Sequence, residues 1–200
     1  MPSCYNIAIF ISGTGSNAKN LIRFFSPYIE QKIKLILSEK ANPELENLCD
    51  SEKIHFLKVD KQQSTNADFL IEKCKEYQIH YIILAGFLKK IPEKFIQNYP
   101  EQIINIHPSL LPKFGGKGMY GDHVHRAVLD TNEKESGITI HLVNEEYDKG
   151  KILAQFSIAI ETNETVETLK EKIQKLEHSH LPLVIKNLLH SSEKHEKNTI

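Results

Sequence analysis

Short apolar runs, each closed by a polar turn rich in glycine, proline or asparagine, recur along the first half of the chain. Ile7-Ala8-Ile9-Phe10-Ile11 is branched and uninterrupted, the pattern of a strand buried on both faces. A turn over Ser12–Asn17 follows, and then Ala18, Leu21, Ile22, Phe24 and Phe25 at helical spacing, stopped near Pro27. The alternation continues with strands at 32–37, 55–59, 81–84 and 102–106. Helices fall between them at 44–51, 66–77 and 92–98. This order predicts an α/β fold: a doubly wound, mostly parallel sheet with helices on both faces.

The second half breaks the rhythm. Residues 108–121 carry two prolines and four glycines, a long turn-rich loop of the kind that is functional or mobile in compact proteins. A helix over 124–130 precedes two strands, 138–143 and 152–160. The turn between them makes an antiparallel C-terminal strand. The last element is a helix over 165–189 with Pro182 as a candidate kink, before a polar tail that frays from Ser191. One domain over 1–190 and a tail over 191–200 are expected.

Charge excludes some functions. The 25 basic and 26 acidic residues leave a net charge of −1, so no global field exists to hold a nucleic acid. Only Arg23 and Arg126 are arginines. Anions must therefore be held by lysine, backbone amides or helix ends. Three cysteines without Cys-x-x-Cys spacing argue for a reducing compartment and against zinc. No apolar run is long enough to span a bilayer, and no basic stretch precedes the first one. A cytoplasmic protein with no membrane partner is expected.

Two features carry candidate chemistry. Gly13-Thr14-Gly15-Ser16-Asn17-Ala18 joins a strand to a helix, where small residues let an anion approach unpaired amides at the positive helix end. The turn alone also fits a dinucleotide site, with Glu39 at the end of the second strand, or a plain capped turn. More specific is Asn105-Ile106-His107-Pro108. Period-two geometry puts Asn105 and His107 on one side of a strand, at the carboxyl edge where open α/β sheets bind ligands. A carboxamide can donate to a developing oxyanion, and an imidazole can move a proton near neutral pH. Asp148, in the turn Tyr147-Asp148-Lys149-Gly150, is the candidate third member, expected to orient His107 and raise its pKa. Lys89 and Lys90 follow the fourth strand and can hold a carboxylate. His123 and His125 form a His-x-His pair that lacks further metal ligands at plausible spacing, and His141 stays unassigned.

Several blocks in order, ISGTGSN at 11–17, LAGFLKKI at 84–91, INIHPSLLPKFGG at 104–116, GITIHLVNEEYDKGKILAQ at 137–155 and IQKLEHSHLPLVI at 173–185, resemble the glycinamide ribonucleotide formyltransferases. The resemblance covers about residues 5–189. It implies a Rossmann-like fold and transfer of a formyl group from 10-formyltetrahydrofolate, as co-substrate and without metal, to the amine of glycinamide ribonucleotide in purine biosynthesis. Asn105, His107 and Asp148 match the family's catalytic residues; Gly15, Ser16, Asn17, Gln174 and Glu177 match its ribonucleotide site. Leu88, Lys89, Lys90, Ile91, Asn144 and Tyr147 match the folate pocket. Gln63 and Lys89 stand where the family pattern has arginines, and the loop over 115–121 is longer than the family's compact form. Alternatives are a formyltetrahydrofolate hydrolase, a nucleotide-sugar formyltransferase, a methionyl-tRNA formyltransferase (for which the chain lacks a tRNA-binding extension), a dehydrogenase or a non-catalytic nucleotide-binding module. A monomer or weak homodimer is expected.

Overall fold

A computed structural model describes residues 5–28 and 31–197, with side chains as far as Ser191. Seven strands form one sheet in the order β3-β2-β1-β4-β5-β6-β7: β1 (Tyr5–Ile11), β2 (Gln31–Ser38), β3 (His55–Lys58), β4 (Tyr81–Leu84), β5 (Ile103–His107), β6 (Glu135–Leu142) and β7 (Ile152–Ala159). The first five pair in parallel; β5–β6 and β6–β7 pair antiparallel. The mostly parallel sheet with an antiparallel C-terminal part is the architecture the pattern predicts.

Alternation along β1 shows how the sheet is coated. Ile7, Ile9 and Ile11 belong to one apolar cluster, Ala8 and Phe10 to another, and none is more than 1% exposed. The first cluster takes the buried faces of α1 (Ser16–Phe25), α2 (Pro43–Ser51), α5 (Asp122–Asp130) and α6 (Val166–Lys197). The second takes those of α3 (Ala67–Glu76) and α4 (Glu93–Asn98). In α1 the apolar stripe is Ala18, Leu21, Ile22 and Phe25, spaced i, i+3, i+4, i+7, so its polar face is left to the sheet edge and solvent. Asn42 caps α2 and Asn66 caps α3, each accepting from an amide three residues on.

The last helix departs from expectation. It runs from Val166 to Lys197, longer than the 165–189 that the pattern predicts, and Pro182 lies inside it. Leu181, Ile185 and Leu189 flank Pro182 and are at most 1% exposed, so packing against the sheet carries the helix past the proline. Cys49 and Cys74 are free and buried, and burial pushes both thiols up to about 12; Cys4 lies outside the described residues. No helix among the described residues is long and apolar enough to cross a membrane.

Strand order reverses between β1 and β4, so the loops leaving these strands part and open a crevice at the carboxyl edge. The loops are stitched together at their base: the Ser12 amide donates to Gly86 O (3.1 Å), and the Leu88 amide donates to Ser12 Oγ (3.1 Å).

Candidate active site

Two cavities open at this edge. The wider, about 580 Å³, is lined by Gly13–Asn17, Ala85–Leu88, the end of β5, the loop over 116–121 and one face of α6. The narrower, about 70 Å³, lies between Leu84, Phe87, Lys89–Ile91 and Val143–Asp148. Asn105 and Asp148 line both.

At the wide end the chain enters α1 through Gly15, which caps the helix in the left-handed region at φ 71°. A Cβ there would also meet Leu45 Cδ2 at 2.8 Å, so glycine is required twice over. No side chain caps the helix and no acidic residue sits in its first turn, which leaves its positive end uncompensated. Two α6 residues close the wall. Gln174 Nε2 donates to Ser16 Oγ (3.0 Å), and Asn17 Nδ2 donates to Glu177 Oε2 (2.8 Å). Residues 158 and 160 positions apart, matched on resemblance alone, thus stand in contact. Burial pushes the Glu177 carboxyl up to about 7, against the hydrogen bond from Asn17.

Asn105, His107 and Asp148 come together where the cavities meet. His107 is 4% exposed. Its Nε2 lies 2.8 Å from Phe114 O, a carbonyl that can only accept, so Nε2 carries the hydrogen. Its Nδ1 lies 3.6 Å from Asp148 Oδ2. Burial lowers the His107 pKa below the ordinary imidazole value by more than Asp148 and Phe114 O raise it. Asp148 does raise it, as expected, but His107 gives up more hydration than a carboxylate 3.6 Å away returns. The resting ring is therefore neutral at pH 7, with a bare Nδ1 facing the carboxylate. Asp148 itself loses hydration, but the positive charge that can form on His141 and His107, together with the Gly116 amide (2.8 Å), holds its carboxyl below its usual value.

The sequence left His141 without a role; the structure puts it beside Asn105. Residues 105 and 141 are cross-strand partners in the antiparallel β5–β6 ladder. His141 Nδ1 donates to Leu142 O (2.8 Å), so Nε2 keeps its lone pair and accepts from Asn105 Nδ2 (3.0 Å). Asn105 Nδ2 also approaches Asp148 Oδ1 at 3.5 Å, a long contact that a better acceptor can replace.

Two residues along the same ladder, Thr139 pairs with His107 and braces the loop that follows it. Its hydroxyl donates to Ser109 O (2.7 Å) and accepts from the Leu111 amide (3.0 Å) and Gln155 Nε2 (2.9 Å). Gly115 fits because a Cβ there would meet Leu111 Cδ2 at 2.5 Å and Asp148 Cβ at 3.2 Å.

The remaining candidates divide. Leu88 lines the wide cavity; Lys89, Lys90, Ile91 and Asn144 line the narrow one, and Tyr147 lines both. Lys89 Nζ is drawn to Glu39 Oε2 (3.6 Å) and Lys90 Nζ to Glu93 Oε1 (3.8 Å). Gln63 lies outside both cavities, and its Oε1 accepts from the Asp60 amide (3.0 Å). His125 lines the wide cavity while His123 is exposed, so the pair splits; among the described residues no group of three His, Cys, Asp or Glu is placed to hold a metal ion.

Comparison with known proteins identifies the family. Residues 5–185 match the family described as formyl transferase. A chloroplastic phosphoribosylglycinamide formyltransferase of Arabidopsis thaliana is 38% identical over 183 residues, 88% of this chain; the chain spans only 63% of that relative's length. The phosphoribosylglycinamide formyltransferase of Bacillus subtilis is 36% identical over 197 residues, covering 95% of this chain and 97% of that one. Among solved structures, a phosphoribosylglycinamide formyltransferase from Bacillus halodurans superposes with a TM-score of 0.82 at 31% identity, covering 92% of this chain and 95% of the other. With the matched region spanning both cavities and the residues between them, the chain belongs to the formyl transferase family.

Proposed function

We propose that the chain transfers the formyl group of 10-formyltetrahydrofolate to the amine of glycinamide ribonucleotide. One observation carries the reading: Asn105 and Asp148 line both cavities, so two separately bound molecules would meet at the same residues. A hydrolase needs room for one substrate and water; a transferase needs two pockets with a common floor. The wide cavity suits the ribonucleotide, with its phosphate on the amides at the start of α1 and its sugar against Gln174 and Glu177. The narrow cavity, walled by Leu84, Phe87 and Ile91, suits the flat ring of the folate, with Lys89, Lys90, Asn144 and Tyr147 around it and Leu88 on the wide side of the junction.

The residue chemistry fits. An amine attacking a formyl carbon must lose a proton, the carbonyl oxygen gains charge, and the departing nitrogen must gain a proton. Neutral His107 offers Nδ1 as the acceptor, and Asp148 stabilises the imidazolium that forms before the proton passes on. Asn105 Nδ2, held by His141, turns its weakly used N–H from Asp148 to the oxyanion; one such donor is typically worth about 2.7–4 kcal/mol. Two bound substrates supply the orientation.

The test is to mix purified chain with 10-formyltetrahydrofolate and follow folate absorbance with and without glycinamide ribonucleotide. Deformylation that requires the ribonucleotide and yields its formylated product is expected. Folate loss without an acceptor would replace the reading with a hydrolase. Absence of turnover by folded protein would leave another acceptor or a binding module.

A further inference from the structure

We propose that Lys170 supplies the fixed positive charge for the phosphate of the ribonucleotide, and that Asp122 holds its ammonium in readiness until the phosphate takes it. The inference rests on the ribonucleotide reading of the wide cavity and adds a residue that neither the motifs nor the resemblance single out.

A phosphate dianion on backbone amides still needs counter-charge, and the cavity offers little. Among the described residues no arginine lines it. Among the described residues its only lysines are Lys117 and Lys170. Lys117 sits on the glycine-rich loop itself, between Gly116 and Gly118, both at positive φ (94° and 93°), and not on a helix. Lys19, in α1 itself, is paired with Glu44 and lies outside the lining. That leaves Lys170, anchored on α6.

Its position is right for the task. Lys170, Gln174 and Glu177 are spaced by four and three, one stripe on α6, and all three line the cavity. Gln174 already touches Ser16 at 3.0 Å. Lys170 stands one turn, about 5.4 Å, further along the helix, a distance that a lysine side chain spans. Its Nζ now lies 2.7 Å from Asp122 Oδ1, in the first turn of α5 just past the glycine-rich loop. The two side chains are 57% and 56% exposed, so the pair is weakly held by water-screened attraction. A doubly charged phosphate, already seated on helix amides, outcompetes a single exposed carboxylate for the ammonium.

Initial rates with varied glycinamide ribonucleotide at saturating 10-formyltetrahydrofolate test this on the full chain. Lys170→Met is expected to raise KM for the ribonucleotide about tenfold, with kcat and the folate KM within about twofold of the parent. Lys170→Arg should recover most of the loss. With glycinamide riboside, which lacks the phosphate, the parent and Lys170→Met should have equal KM. Asp122→Asn should leave the ribonucleotide KM equal or lower. An unchanged KM in Lys170→Met overturns the proposal, as does a rise that persists with the riboside or that Asp122→Asn reproduces. A parent chain without ribonucleotide-dependent turnover would instead remove the functional reading on which it rests.

Discussion

The wide and narrow cavities share a floor but are made of different materials. The wide one is built from backbone and from hydrogen bonds between two helices: the uncapped start of α1, the left-handed Gly15, and Gln174 and Glu177 clipped to Ser16 and Asn17. The narrow one is rimmed by charged side chains that already have partners: Lys89 with Glu39, Lys90 with Glu93, Glu146 with Lys149. Recognition at the first end is part of the fold, because moving a helix start means moving the sheet. At the second end it is a balance among flexible, partly hydrated charges that single substitutions can retune. The residues between the cavities are tied to both. Asn105 and His107 belong to a central strand, whereas Asp148 is held in a turn at φ 55° by its bond from the Gly116 amide.

Breaking the shared floor should have the largest effect. His107→Ala is expected to lower kcat by about 10²–10⁴-fold and Asp148→Asn by about 10²-fold or more, with far-ultraviolet circular dichroism unchanged. Near-parental turnover in either variant would strip that residue of its role. The pH profile sharpens the point. His107 works as a base while neutral, and burial lowers its pKa, so activity should fall on the acid side only below the ordinary imidazole range of about 6.5. Asp148→Asn removes the carboxylate that opposes burial, so the residual activity should persist to still lower pH. An acid limb above about 6.5 in the parent would contradict a neutral resting His107.

Gly115→Ala comes next. The added methyl group would press on buried Leu111 and on the Cβ of Asp148, displacing the carboxylate without removing it. A kcat loss of about tenfold, with both KM values changed less, is the expected signature of misplaced geometry. Equal losses in Gly115→Ala and Asp148→Asn would mean that position matters as much as charge.

The sequence carried the parallel sheet and its helices because apolar periodicity and turn residues are local signals. Asn105 and His107 were legible for the same reason: they sit two residues apart on one strand, ahead of a proline. Their partners were not, because cross-strand pairing is a non-local property. In Ile138–Val143 the alternation separates Thr139 and His141 from Ile138, Ile140 and Leu142, which pack in the core. Only the register with β5 then sets His141 against Asn105 and Thr139 against His107. The raising effect of Asp148 on His107 was legible, but the net direction was not, because burial, the larger effect, depends on the loop over 108–114 wrapping back to put Phe114 O on the ring. Contacts between Gln174 and Ser16 and between Glu177 and Asn17 were reachable only through the family resemblance, since nothing local relates positions that far apart.

Glu177 tests whether the wide cavity sacrifices stability for its polar wall. Its carboxyl is raised from the ordinary 4.5 to about 7, so relative to the unfolded chain it favours folding at low pH and loses that contribution as pH rises to about 7. Glu177→Gln keeps an acceptor for Asn17 and removes the charge. At pH 8 the variant should be more stable by about 1–2 kcal/mol, a few degrees in Tm, after allowance for its partial exposure. Near pH 4.5 the two melting curves should coincide. A Tm gain independent of pH would trace to packing and not to the buried charge.

The smallest effect is expected at the narrow end, and it bears most directly on the contrast between the cavities. Lys89 Nζ and Glu39 Oε2 are 3.6 Å apart, and Glu39 Oε1 also accepts from Ser64 Oγ at 2.7 Å, so the carboxylate is the fixed partner and the lysine the movable one. Glu39→Gln retains the acceptor for Ser64 and releases the ammonium toward the narrow cavity. The pair is partly exposed, with side chains 28% and 20% accessible, so the release corresponds to about 0.2–1 kcal/mol. That predicts a folate KM lower by about twofold to fivefold, with the ribonucleotide KM unchanged; added salt should erase the gain. A change in the ribonucleotide KM of the same size would show that the two cavities are not independently tunable, because a charge released at one rim would then be felt across the shared floor at Asp148.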